Sequence, residues 1–221
     1  MTQEPIKKIE RTANEHALLA KKELDYIKEE KKSIKAEVQK AKAHEILAER
    51  DIELAEIRII LAKKSLSLSK KKISLKNEKI LDFTERELMR DKANAEFNEK
   101  LSNIQLKIAD IVKQVAQKEK EIAEEKKELL IKRGNIAKQR ISLSKSQLAY
   151  VKLARNTTTP KDKLSGAEKI YIDGQNKLRE KRDKFIEKET DIKKLQNELT
   201  DLKKKHSEIF TERIKLRHQI H

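Results

Sequence analysis

Between Pro5 and Gly134 the chain has neither proline nor glycine, a stretch of 128 residues (6–133) without the two residues that most often interrupt regular structure. That length exceeds what one helix of a globular domain usually spans, so long helices that bend or fold back are expected, not a succession of short elements. The whole 221-residue chain has three glycines (Gly134, Gly166, Gly174) and two prolines (Pro5, Pro160), and 42% of it is charged while 3% is aromatic. So few aromatics among so many charges cannot furnish a broad layered core. Ile, Leu and Val are nonetheless spread evenly along the sequence, which argues against disorder and for helices whose narrow apolar stripes bury one another. The expected fold class is all-α: an elongated, bent rod of long helices with coiled-coil-like packing.

Two stripes are clear. Phe97, Leu101, Ile104, Ile108, Ile111 and Val115, then Ile122 and Leu129, follow one another at heptad spacings. Ile192, Leu195, Leu199 and Leu202, then Ile209, Leu216 and Ile220, form a second seam. Between the seams lies "ARNTTTPKDKLSG", where Asn156 and three threonines weaken a helix and Pro160 disfavours helical geometry at Thr159. Ser165 with Glu168 reads as a capping box that restarts it. The expected organisation is helical over 1–155 with bends near 60–78, 91–95 and 134, a loop over 156–165, and a C-terminal helix over 166–221 packed back on the rod, with Gly174 as its weak point. "IRIIL" (Ile57–Leu61) is apolar on more than one face, so a third helix is expected to cover it.

A serine-leucine signature occurs twice, 75 residues apart, as Ser67-Leu68-Ser69-Lys70 and Ser142-Leu143-Ser144-Lys145. Strict alternation is the pattern of a half-buried strand, but in these surroundings it reads better as helix with small residues where another helix approaches. Each copy also sits in a window without acidic residues. From Ile57 to Asn77, Arg58, Lys63, Lys64, Lys70, Lys71, Lys72 and Lys76 contribute +7; from Leu129 to Lys161, Lys132, Arg133, Lys138, Arg140, Lys145, Lys152, Arg155 and Lys161 contribute +8. Together the windows hold +15 of the formal +16. Elsewhere acid and base interleave, as in "KEKEIAEEKKE", which gives i,i+4 pairs and a solvated face. The windows, excepting Lys161 in the loop, are the candidate partner-binding residues, and an acidic protein surface is the expected partner.

Other functions find less in the sequence. A basic helical face also suits nucleic acid, yet Tyr150 is the one aromatic in either window and no base-reading motif is present. Anionic lipid is another candidate, by the logic of curved, BAR-like bundles. No nucleotide-binding, hydrolase or metalloprotease motif occurs, so no enzyme and no cofactor is expected. His218 and His221 share a face but lack a nearby carboxylate ligand, and His206 reads as a polar member of the second seam. The absence of cysteine rules out disulfides and thiolate metal sites. No apolar run reaches membrane-span length and "MTQEPIKK" lacks a signal-peptide core, so an exported form would have lost its signal peptide.

The bias towards Lys, Ile, Leu and Ser, the cysteine-free helical character and stretches such as "AEIRIILAKKSLSLSKKKISLKNEKI" resemble the spirochaete flagellar coiling proteins of Leptospira. That resemblance implies a bent, all-α, non-enzymatic subunit of the sheath around the periplasmic flagellar filament, in contact with the filament and other sheath proteins. The periplasm is then the expected compartment, and the cytoplasm otherwise. Self-association is compatible with either.

Overall fold

The computed structural model describes residues 3–77, 84–156 and 158–218. They form three helices, α1 (Gln3–Asn77), α2 (Glu85–Arg155) and α3 (Lys161–His218), and no strand occurs among the described residues. The fold is all-α with coiled-coil-like packing, as the composition and seams imply. The serine alternation is helical in both copies.

Contacts divide the chain into two compact units, and every helix contributes to both. Unit 1 comprises residues 1–38 and 121–195; unit 2 comprises 39–120 and 196–221. In each, α1 and α2 run antiparallel and meet through buried side chains spaced at multiples of seven residues, mixed in size in unit 1 and mostly small in unit 2. In unit 1 the buried series is Ile6, Ala13, Ala20 and Ile34 on α1 against Ala123, Leu130, Ala137, Ser144 and Val151 on α2. In unit 2 it is Ala41, Ala48, Ala55, Ala62 and Ser69 against Leu88, Ala95, Ser102, Ala109 and Ala116. A period of 3.5 residues keeps such a stripe turned to its partner along a left-handed supercoil. Alanine and serine bury little area each, but they let two backbones come close. Ser144 demonstrates this: its Oγ donates to the carbonyl oxygen of Ala13 on the other helix at 2.6 Å, a reach of one atom beyond Cβ.

The large apolar residues of the first predicted seam, from Phe97 to Leu129, are all buried or half-buried. In unit 1, α3 packs on α2 through Leu178, Tyr171 and Phe185 against Ile136 and Leu143. In unit 2 the α3 seam residues Leu199, Leu202, Ile209 and Leu216 are half-buried, while Ile220 lies outside the described residues. His206 is half-buried and stacks on Phe210 at 6.2 Å.

Several boundaries differ from the sequence expectation. α2 is continuous through 91–95 and Gly134, and α1 through 60–77; residue 78 lies outside the described residues. Glycine costs an exposed helix only about 1 kcal/mol, which tertiary packing of a long helix readily offsets. α3 begins at Lys161, ahead of Ser165, so the connection is 156–160 and not 156–165. Pro160 starts the helix because its carbonyl accepts from Leu164 N at 3.2 Å while its missing N–H would have had no intrahelical partner there. The capping box that does form is Thr84 with Glu87: Glu87 N donates to Thr84 Oγ1 at 3.3 Å and Thr84 N to Glu87 Oε2 at 3.1 Å. Gly174 is a close-approach position and no weak point, since a Cβ there would stand 3.1 Å from Leu143 Cδ1. No described helix covers Ile57, Ile60 or Leu61, each more than half exposed.

Candidate partner-binding surface

The two signature copies share a helical face but not an environment. Ser69 and Ser144 both occupy the buried small-residue series, so each continues the alanine pattern between α1 and α2. Ser69 Oγ donates within its own helix to Ser65 O at 3.0 Å, whereas Ser144 Oγ bonds across to Ala13. The preceding leucines diverge further. Leu143 is 4% exposed against α3, while Leu68 is 61% exposed.

The windows belong to different units, the first to unit 2 and the second to unit 1, and their cations are used differently. In the second window, Arg133 donates to Glu23 at 3.1 Å and lies over the Tyr26 ring at 5.1 Å from its centroid, with Glu30 at 3.5 Å. Arg140 donates to Glu23 at 2.7 Å, and Arg155 pairs with Glu10. The acid-free stretch of α2 thus faces acids of α1, which the linear sequence hides because the partners are more than a hundred residues away. Lys132 is half-buried, and Lys138, Lys145 and Lys152 remain exposed. Lys138 edges an open apolar groove of about 660 Å³ over Leu24, Ile27, Leu130, Ile131 and Gly134, with Lys21, Lys28, Lys31 and Lys127 also at its rim.

In the first window, Lys72 pairs with Asp91 at 3.2 Å and Arg58 donates to Gln105 at 3.1 Å. Lys76 is half-buried. Lys63, Lys64, Lys70 and Lys71 are exposed and make no ion pair with a described residue. They lie beside exposed Ile57, Ile60, Leu61 and Leu68, which joins positive charge to apolar surface on one helix.

Interhelical ion pairs elsewhere fix register. In unit 2, Lys120 donates to Glu45 at 3.0 Å and Gln117 to the same carboxylate at 3.3 Å; these hydrogen bonds hold Glu45 below its ordinary value. In unit 1, Lys188 bridges Glu125 and Glu128, which raises the lysine and lowers Glu128.

Sequence reasoning missed Arg213 and Arg217. They join Arg58 along a groove of about 490 Å³ that also includes Ser65, Asn98 and Ser102. The available signal was Arg213 falling on the seven-residue series of Ile192, Leu199 and His206. The exposed leucine series Leu47, Leu54, Leu61 and Leu68 was also missed, although its regular spacing of seven is visible in the sequence. No described helix is long and apolar enough to cross a membrane. No family model, curated protein or solved structure matches the chain.

Proposed function

We propose that this protein is a non-enzymatic structural and interaction protein that docks onto an acidic protein assembly through the basic, apolar-flanked face of α1 between Ile57 and Lys71. One observation carries the reading: Lys63, Lys64, Lys70 and Lys71 are exposed without a carboxylate partner among the described residues, beside four large apolar side chains that are also exposed. Such a surface offers long-range attraction and area to bury once contact is made. The second window contributes less, because its three arginines are held by Glu10, Glu23 and Glu30. Its available cations are Lys138, Lys145 and Lys152. A flagellar filament sheath in the periplasm, with other sheath proteins as neighbours, is the setting that the sequence resemblance supplies.

Nucleic acid is a weaker partner on this geometry. Tyr150 is buried and stacks on Tyr171 at 6.4 Å, so it offers no platform for bases. Cosedimentation separates the partners. Purified spirochaete periplasmic filaments should carry the chain down in a salt-sensitive manner, and Lys63→Glu/Lys64→Glu/Lys70→Glu/Lys71→Glu should abolish this while preserving helicity. Retention by phosphatidylserine vesicles or random duplex DNA, with none by filaments, would refute the reading.

A further inference from the structure

Seven large apolar side chains on the unit 2 stretch of α1 lack cover: Ile46, Leu47, Leu54, Ile57, Ile60, Leu61 and Leu68, each at least half exposed. At 3.6 residues per turn they share one face, an arc of about 140°, and all lie in unit 2. A contiguous apolar stripe of this kind on a helix marks an interface. Its spacing alone leaves orientation open, because Leu47, Leu54, Leu61 and Leu68 could meet a second such helix in either direction.

Charge decides the direction. Within the stripe N-terminal to Ile57, Asp51, Glu53 and Glu56 are exposed and make no ion pair with a described residue, and they outnumber the one cation in the same position there, Arg50; C-terminal to Ile57, Lys63, Lys64, Lys70 and Lys71 are exposed and make no such pair. The stripe is therefore acidic at one end and basic at the other. Parallel pairing of two copies would set lysine on lysine and carboxylate on carboxylate. Antiparallel pairing reverses this. With a two-fold axis beside Ile57, Leu47 lies opposite Leu68, Leu54 opposite Leu61 and Asp51 opposite Lys64, each pair by the same register. An anionic membrane matches less well, since the acidic end would be repelled.

We propose that this face of α1 pairs two copies of the chain, antiparallel, with the acidic end of each stripe on the basic end of the other. A closed, self-complementary interface of this type is the common form of homodimer. The proposal rests on reading the first window as a docking surface, and it names one partner for that surface: a second copy.

Sedimentation equilibrium of the full chain should give twice the 25.8 kDa chain mass in the micromolar range. Leu54→Glu/Leu61→Glu should weaken association by about a hundredfold or more, with helicity retained because both positions are exposed. As a second variant, Asp51→Lys/Glu53→Lys should also weaken it, and adding Lys63→Glu/Lys64→Glu should restore it. The chain has no cysteine, so single-cysteine forms report direction directly. Leu47→Cys should form a disulfide with Leu68→Cys in a mixture and not with itself. A mass of one chain at every concentration overturns the proposal, as do disulfides confined to identical positions or an association indifferent to Leu54→Glu/Leu61→Glu. A single-chain mass with lysine-dependent cosedimentation on filaments overturns the pairing alone and leaves the docking reading standing.

Discussion

Leu68 and Leu143 occupy the same place in the same tetrapeptide, yet one is open to solvent and the other is covered by α3. Their neighbours Ser69 and Ser144 do the same work in both, keeping α1 and α2 close. A local pattern thus determines which face meets the nearest helix, but not whether a third helix is present to cover the next face. The cations follow the same division. Around Leu143 the arginines reach acids on α1; around Leu68 four lysines reach none among the described residues.

The largest expected effects separate the two leucines. Leu143→Ala should cost about 2–5 kcal/mol through lost burial and a cavity beside Gly174. Leu68→Ala should change the stability of the dilute chain by no more than about 0.5 kcal/mol. Urea unfolding of both variants at one low concentration makes the comparison, and equal costs would mean that Leu68 is covered within the chain. Next in size is overpacking. Ala116→Leu and Gly174→Leu should each lose about 1–3 kcal/mol or more, because a side chain must be inserted where two helices are in close contact.

Charge reversal should divide the windows in the same sense. Lys63→Glu/Lys64→Glu/Lys70→Glu/Lys71→Glu should leave the melting temperature nearly unchanged. Arg133→Glu/Arg140→Glu should lower stability by about 1 kcal/mol or more, since it removes three ion pairs and sets like charges beside Glu23 and Glu30. Reversals at Lys72, Arg140 or Lys203 are poor probes of docking, because each also breaks an internal pair. The smallest effect is that of pH. Glu45 and Glu128 bind a proton more weakly folded than unfolded. Their contribution is therefore present above the ordinary glutamate value of 4.5 and is lost as pH falls through the lower folded values. Melting curves taken below that pH should show the loss, and Glu45→Gln should reduce its slope.

The helical character, the seams and the turn at Asn156 were legible because each depends on neighbours within a few residues, whereas the end of α1 at Asn77 and the start of α2 at Glu85 were read only as a bend near 60–78. The run without Pro or Gly, the four-and-three spacing from Phe97 to Val115, and the break at Asn156 are all local signals. What could not be read depends on distant residues. Gly134 and Gly174 look like interruptions, yet both lie within continuous helices, and Gly174 fits against Leu143 on α2. The second basic window looks unpaired until α1 folds alongside it. The alanine series Ala41, Ala48, Ala55 and Ala62 was present in the sequence, but alanine carries too little hydrophobic signal to stand out against Leu and Ile.

Single-cysteine labelling tests the central claim, that the Leu68 face of α1 is left open for docking while its sequence twin is consumed by the fold. Leu68→Cys and Leu143→Cys are compared by maleimide reaction in the dilute chain, then in the concentrated chain and on filaments. The account predicts that Leu68→Cys reacts at nearly the rate of a free thiol when dilute and becomes protected on association, with Leu143→Cys slow throughout. Slow labelling of Leu68→Cys in the dilute chain, or labelling that association leaves unchanged, would contradict it.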